Sequence, residues 1–415
     1  MREFMRVKRS IFLLALILIL ALGMAQAAGK TVRIHPDTPR PGRFVVEGTR
    51  LVDRADGRAV FFRGMGYSPY MPGETPQHGA GPGNDGRYTQ HLALLKGMGV
   101  NYLHVFPLRM PANFFTALDA TDLVYGQDIW IDPFTPDLLD EDYLAKTLAN
   151  IRQVIDHTYA VGRPERLVLF SIGDELQAAT VERTNKLHPE VRDYRGKHLT
   201  VTGRSASEVA LARLIDQAMD YELTRYGRRH LYTHTSWTHI GPIADRPDLE
   251  LPREHLLAPD MGDLICMNIY TYANGVKTSP PGSVTGTSYQ GYLEELAATT
   301  RLPILVTQVG FSTSPIMPRP ELADYGGNRA QRVAEGFRSV WRDIRSARGA
   351  DRFCGLVFFE FQDEWWKIGW TPEDEFRHEA GDPEEWFGIY EVGRNNKLFP
   401  KGDLPEVVRS LFTGP

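Results

Sequence analysis

Eight short apolar runs, separated by longer segments that include amphipathic helical patterns, constrain this chain more than any other feature. They read VFFRGMGY (60–67), NYLHVFPL (101–108), LVYGQDIWI (123–131), RLVLFSIGDE (166–175), HLYTHTSW (230–237), LICMNIYTY (264–272), PILVTQVGF (303–311) and GLVFFEFQDEW (355–365). Runs that are apolar throughout, rather than at alternate positions, are strands buried on both faces, which is the habit of parallel sheets covered by helices. The intervening patterns predict helices over Tyr88–Met98, Leu144–Tyr159, Ser205–Tyr226, Tyr289–Thr299 and Asn328–Ala347. Eight such units favour a closed barrel over an open doubly wound sheet, and the expectation is that neither a GxGxxG nor a Walker-type phosphate loop follows an early strand. The expectation is an α/β fold: a single-domain (β/α)8 barrel with long βα loops, preceded by a short β-hairpin in FVVEGTRLVDRADGRAVFFRG that turns at Asp56-Gly57.

The first residues fall outside that pattern. Arg2, Arg6, Lys8 and Arg9 precede the unbroken apolar run Ile11–Leu22, followed by Ala25-Gln26-Ala27, which is the order of parts in a secretory signal peptide. A run of 12 apolar residues is too short to span a bilayer as a helix. The expected division is a signal peptide over 1–27 and the barrel over 28–415, in an exported protein, secreted or periplasmic, with no stable membrane insertion once the signal is removed. That removal takes away four basic residues and one acidic, so the formal charge of −5 becomes −8. An acidic surface disfavours nucleic acid and other polyanions as partners. The two cysteines, Cys266 and Cys354, sit inside apolar runs as small buried thiols, which rules out a disulfide framework.

In a parallel barrel the chemistry lies where the βα loops converge, at the C-terminal ends of the strands. The sharpest of these ends is LVLFSIGDEL, where an apolar strand runs into Ser171-Ile172-Gly173-Asp174-Glu175. It resembles the fourth strand of clan A glycoside hydrolases, TIM-barrel enzymes in which that strand ends in Asn-Glu and the Glu is the general acid/base. FFRGMGYSPY, GVNYLHVFPL, MNIYTY, PILVTQVG, GLVFFEFQDEWWK and EEWFGIY carry the resemblance over nearly the whole chain after the signal, with echoes of family 2 β-glycosidases and family 72 glucanosyltransferases. It implies a hydrolase or transglycosylase acting on a neutral, β-linked, glucan-like polysaccharide, with Glu175 as the acid and Tyr270 reaching toward the nucleophile position. Two residues depart from the family pattern. Asp174 stands for the asparagine that binds the sugar 2-hydroxyl, and Gln308 stands for the nucleophilic glutamate.

Asp174 beside Glu175 adds a like charge, which raises a carboxyl pKa and suits a proton donor. The blander reading of the pair is two acids at a helix N-terminus. Gln308 can neither attack an anomeric carbon nor take a proton from water, so a second carboxylate must come from elsewhere; Glu360 on the neighbouring strand is the first candidate. Its alternative is a buried structural acid paired with a basic side chain, and for Asp363 and Glu364 a loop pair that bonds backbone amides or Lys367. Substrate contacts are expected from Tyr67, His104, Trp130, Asp174 and His234, and from Trp237, Asn268, Tyr270, Glu364 and Trp365, because indole and phenol faces pack on the C–H faces of pyranose rings while polar groups meet the hydroxyls. Ordinary packing under loops accounts for part of that set. His230, His234 and His239 lie close together without an HExxH pattern or a carboxylate cluster, so neither metal nor cofactor is expected. A non-catalytic glycan-binding protein that kept its cleft after losing the nucleophile is the competing functional reading.

Overall fold

Eight parallel strands close into a barrel in chain order: β1 (Phe62–Tyr67), β2 (Tyr102–Val105), β3 (Val124–Ile129), β4 (Leu167–Asp174), β5 (Leu231–Trp237), β6 (Ile265–Asn268), β7 (Ile304–Val309) and β8 (Phe353–Phe358). The last strand returns to the first through Gly355 opposite Phe62 and Phe358 opposite Met65, so no open edge remains. This computed structural model describes residues 31–34, 40–272, 283–317, 319–320, 322, 325–367, 381–393 and 397–414. The segment read as a signal peptide lies outside the described residues.

Among the described residues eight α-helices surround the strands: α1 (Arg87–Gly97), α2 (Ala112–Asp119), α3 (Glu141–Ala160), α4 (Ala178–Leu187), α5 (Ala206–Tyr226), α6 (Ser288–Thr299), α7 (Ala330–Ser346) and α8 (Leu404–Thr413). Their starts follow local chemistry. Asp140 accepts from the Tyr143 amide ahead of α3, and Ser205 and Glu208 form a reciprocal capping box ahead of α5, which ends at Gly227 in the left-handed region. The sequence patterns find α1, α3, α5, α6 and α7 but pass over α2, α4 and α8, whose 8 or 10 residues give too few turns for an apolar period to stand out. Alternation is also not strict. Two helices follow β4, whereas β5 reaches β6 through two short 3-10 turns and irregular chain. Among the described residues no helix is long and apolar enough to cross a membrane.

The two ends of the barrel differ in kind. The expected hairpin is a three-stranded antiparallel meander (Phe44–Glu47, Arg50–Asp53, Arg58–Ala59), because the chain also turns at Gly48, φ 64°, before the turn at Asp56-Gly57. Its Phe44 and Leu51 plug the N-terminal end of the barrel against Phe62, Tyr102, Leu264 and Val357. Each such buried side chain contributes about 1.5–3 kcal/mol. Cys266 and Cys354 belong to the same plug as buried free thiols. A second antiparallel sheet joins Thr31–Ile34 to Leu199–Thr202 and Tyr194–Arg195, far along the chain. The glycines of Gly81–Gly86, just before α1, have the spacing of a dinucleotide loop, but the Gly81 amide donates to Glu74 and the Tyr88 hydroxyl donates to the Gly81 carbonyl. With one end plugged by apolar side chains, polar groups collect at the other.

Candidate active site

Two irregularities in the ladder build the site. At the end of β4 the register runs from Ser171 opposite Thr233 to Asp174 opposite Thr235, so three steps on one strand meet two on the other. The extra residue is a bulge, a device that re-aims side chains. Gly173 carries it at φ 76°, where an added Cβ would lie 2.8 Å from Ile131 Cδ1. His234 Nδ1 donates to the Ile172 carbonyl at 2.9 Å. Glu175 follows at φ 48°, a left-handed conformation that costs a non-glycine residue about 1–3 kcal/mol and persists where the surroundings enforce it. On β7 a matching shift places Asn268 opposite Gln308 after Met267 opposite Val306, which brings both Thr307 and Gln308 toward β6.

One network results. Asn268 Nδ2 donates to Asp174 Oδ1 and to Glu175 Oε1, each at 2.8 Å, while its Oδ1 accepts from the Thr307 hydroxyl at 2.8 Å. That set of partners leaves a single orientation for the amide. Gln308 Nε2 donates to Asp174 Oδ2 at 3.1 Å, and Gln308 Oε1 accepts from the Tyr270 hydroxyl at 3.1 Å. Strands four, six and seven thus tie Glu175 to Gln308 through Asp174 and Asn268.

Burial sets the charge of these groups. It pushes the Glu175 carboxyl up against the opposing bond from Asn268; Glu384 raises it further, and Lys367 and His239 pull it down. Asp174 is pushed well up by burial first and then by Asp128 and Glu175. Asp128 itself, near the end of β3, is fully buried with no side-chain partner on either carboxyl oxygen, and burial holds it well above the ordinary range. A carboxyl whose folded pKa is raised adds stability that is complete below its ordinary value of about 3.8 and is lost as the pH climbs through the raised one. Asp128→Asn mimics the protonated form. Its melting temperature should therefore fall less between acidic and alkaline pH than that of the native chain, and equal falls in a thermal-melt series would remove Asp128 as a buried titrating group.

The end of β8 adds a second tier. Glu360 is fully buried; burial and then the neighbouring Glu364 push its carboxyl well up, while Lys367 opposes them. Lys367 Nζ lies 3.2 Å from Glu364 and 3.3 Å from Glu384, and Glu384 also accepts the Tyr325 hydroxyl at 2.6 Å. Asp363 accepts from the Gly388 amide at 3.0 Å and pairs with Lys401; burial still carries its carboxyl up to about 7. The Glu364–Lys367 and Asp363–amide contacts are those of the structural alternative for that pair.

The other expected contacts are spread between the strand ends and the barrel wall. Tyr67 is fully buried, its hydroxyl 3.0 Å from His91 Nδ1 and its ring against Phe114 and Phe361, so it packs in the barrel wall under α1. His104 pairs with the Tyr102 hydroxyl at 3.1 Å, and burial lowers its pKa to about 3 and that of His234 to about 4, so both are neutral wall residues. Trp130 is 41% exposed on the loop after β3. Trp237 is half-buried, donating its indole N–H to the Leu176 carbonyl at 3.0 Å and stacking on His239. Trp365 is half-buried in the loop after β8. Sequence reasoning passed over Asp128, Tyr325 and Glu384, and named Lys367 only as a partner for the Asp363-Glu364 pair. Asp128 was within reach of it, as an acid near the end of an apolar strand; Tyr325 and Glu384 lie in loops that have no period to read. Among the described residues no cluster of three His, Cys, Asp or Glu side chains could hold a metal ion.

A closed barrel of eight parallel strands ringed by helices is the (β/α)8 fold. No family model matches the sequence, and no curated protein is significantly similar to it. Solved structures do share the fold. The GH2 beta-galacturonidase of Eisenbergiella tayi, bound to galacturonate, superposes with a TM-score of 0.57 at 14% identity over 90% of this chain and 54% of that one. The beta-glucuronidase of Ruminococcus gnavus gives 0.59 at 13% identity over 90% and 53%. Gas2p of Saccharomyces cerevisiae, in complex with laminaritetraose and laminaripentaose, gives 0.52 at 12% identity over 90% and 68%. This chain spans about half the length of the first two. At such identities the likeness establishes the shared barrel.

Proposed function

We propose that this protein is an exported glycoside hydrolase or transglycosylase that acts on a neutral, β-linked, glucan-like polysaccharide, with Glu175 as general acid. One observation carries the reading: Glu175 is held in a left-handed conformation beyond a bulge at the mouth of the barrel, with its carboxyl pushed up by burial and bonded to Asn268. A general acid must hold its proton until the glycosidic oxygen takes it, which requires a raised pKa and a fixed position. Fold neighbours that cleave or bind glycans support the class of reaction. Export rests on the Arg2–Ala27 segment alone.

Charge selects the substrate. Asp128, Asp174, Glu175, Glu360, Glu364 and Glu384 crowd one region, and the cation among them, Lys367, already faces two carboxylates. A uronate ring, such as the galacturonate bound by one neighbour, would bring its carboxylate into this acidic region, where Lys367 is already paired with Glu364 and Glu384. Neutral laminarioligosaccharides, as bound by the yeast neighbour, carry no such cost. Gln308 favours a second reading, a glycan-binding protein without turnover, because its amide is bonded at both ends and supplies no carboxylate. Reducing-end release should be measured on neutral β-glucans of increasing length and on β-linked uronides. Release from the neutral series alone is expected. Release from uronides alone overturns the substrate class, and binding without release from any of them selects the second reading.

A further inference from the structure

The sequence points to Glu360 as the second carboxylate, yet Glu360 is fully enclosed, and burial and then Glu364 push its carboxyl well up. A protonated acid can donate a hydrogen bond but cannot take a proton from water. Another carboxylate stands closer to solvent in the same sector of the mouth. The segment from Asp382 to Ile389 lies across the ends of β7 and β8: the Ser312 hydroxyl donates to the Pro383 carbonyl at 2.7 Å, the Thr313 amide to Trp386 at 3.0 Å, and the Glu364 amide to Glu385 at 3.1 Å. The Glu360 amide donates to the Phe387 carbonyl at 3.2 Å, which pins the segment directly over the strand that carries Glu360.

Glu384 projects from this segment with its side chain 38% exposed. Tyr325 donates to one oxygen at 2.6 Å, and Lys367 Nζ lies 3.3 Å from the other, so both oxygens are held in place. Tyr325 packs on the cluster of Phe106, Phe359 and Phe387, and so does Tyr270, whose hydroxyl holds Gln308. Gln308 and Glu384 are therefore positioned from one aromatic platform. Phe387, three residues beyond Glu384, sets its ring edge-on to Tyr270 at 6.3 Å and to Phe359 at 5.4 Å, so the segment that carries Glu384 borders the residue that holds Gln308.

We infer that Glu384 is the second catalytic carboxylate, the base that deprotonates an attacking water in a reaction that inverts the anomeric centre. The inference rests on the reading of Glu175 as the acid. The Gln308 amide fills the near position against Asp174, where a nucleophile would have to stand, and a carboxylate beyond it leaves room for water. Inverting pairs are separated by about 6.5–9.5 Å for that reason, against about 5–5.5 Å in retaining ones. In the step itself the C1–O bond to the leaving sugar breaks as the Glu175 proton moves to that oxygen. The water oxygen bonds to C1 from the opposite face as its proton moves to Glu384. The products are a new reducing end, a free hydroxyl, an ionised Glu175 and a protonated Glu384, and proton exchange with solvent restores both groups.

The test uses the full chain on whichever neutral β-glucan it cleaves. Proton NMR of the first product should show the α-anomer before mutarotation, and Glu384→Gln should lower kcat by about 10²–10⁴ with its melting temperature kept. Azide added to Glu384→Ala should restore cleavage and yield the α-glycosyl azide. Glu360→Gln is the comparison. A β-configured first product overturns the inference, as does loss of turnover in Glu360→Gln with Glu384→Gln at the native rate. If Glu175→Gln abolishes turnover and Glu384→Gln does not, the acid stands and the base falls. If the native chain cleaves no glycan, both readings fail together.

Discussion

Glu175→Gln is expected to lower turnover of a neutral β-glucan by about 10²–10⁴, while the dissociation constant of the same glucan changes by no more than a few-fold. The amide keeps the shape of the protonated carboxyl and still meets Asn268, but it has no proton to give. The pH profile carries the sign of the same assignment. Because the acid works only while protonated, activity should fall as the pH rises through the raised Glu175 value. Asn268 Nδ2 favours the ionised form, so Asn268→Ala should move that fall to higher pH. Calorimetric titration of glucan beside initial rates separates the terms, and a Glu175→Gln protein that binds no glucan would make Glu175 a structural residue.

Lys401→Met is expected to cost about 3–5 kcal/mol of stability, the usual penalty for breaking a buried pair and leaving one charge behind. Asp363 is fully enclosed, and Lys401 Nζ also donates to the Thr313 hydroxyl at 2.8 Å and to the Trp386 carbonyl at 3.0 Å. One ammonium thus ties the ends of β7 and β8 to the segment that carries Glu384. Asp363→Asn combined with Lys401→Met removes both charges and should recover part of the loss. Chemical denaturation of the native chain and the two variants reads this directly, and a single-variant loss below about 1 kcal/mol would reduce the pair to the level of a surface contact.

The barrel was legible because its strands are buried on both faces: the apolar run from Leu167 to Phe170 or from Ile304 to Val306 has no other use in a chain of this kind. Direction within a strand was less legible. Tyr67 sits at a strand end as the active-site rule asks, but it lies on the outer face, where helices cover it, and a one-residue change of register decides between the two faces. His104 illustrates the other limit: it is enclosed within the barrel, below the open mouth. The bulges at Gly173 and Thr307 leave no period in the sequence, yet they decide that Asp174, Glu175 and Gln308 meet. Glu384 was invisible for a related reason, since its place over β7 and β8 depends on loop contacts made by backbone groups, which any sequence offers.

Leaving-group dependence tests the role of Glu175 most directly. Cleavage rates of Glu175→Gln and the native chain should be compared on a natural β-glucan and on a dinitrophenyl β-glycoside of the same sugar, whose leaving group departs without a proton. The expected result is a loss of about 10²–10⁴ on the glucan and a loss of no more than about ten-fold on the activated glycoside. Equal losses on the two substrates would contradict Glu175 as the proton donor.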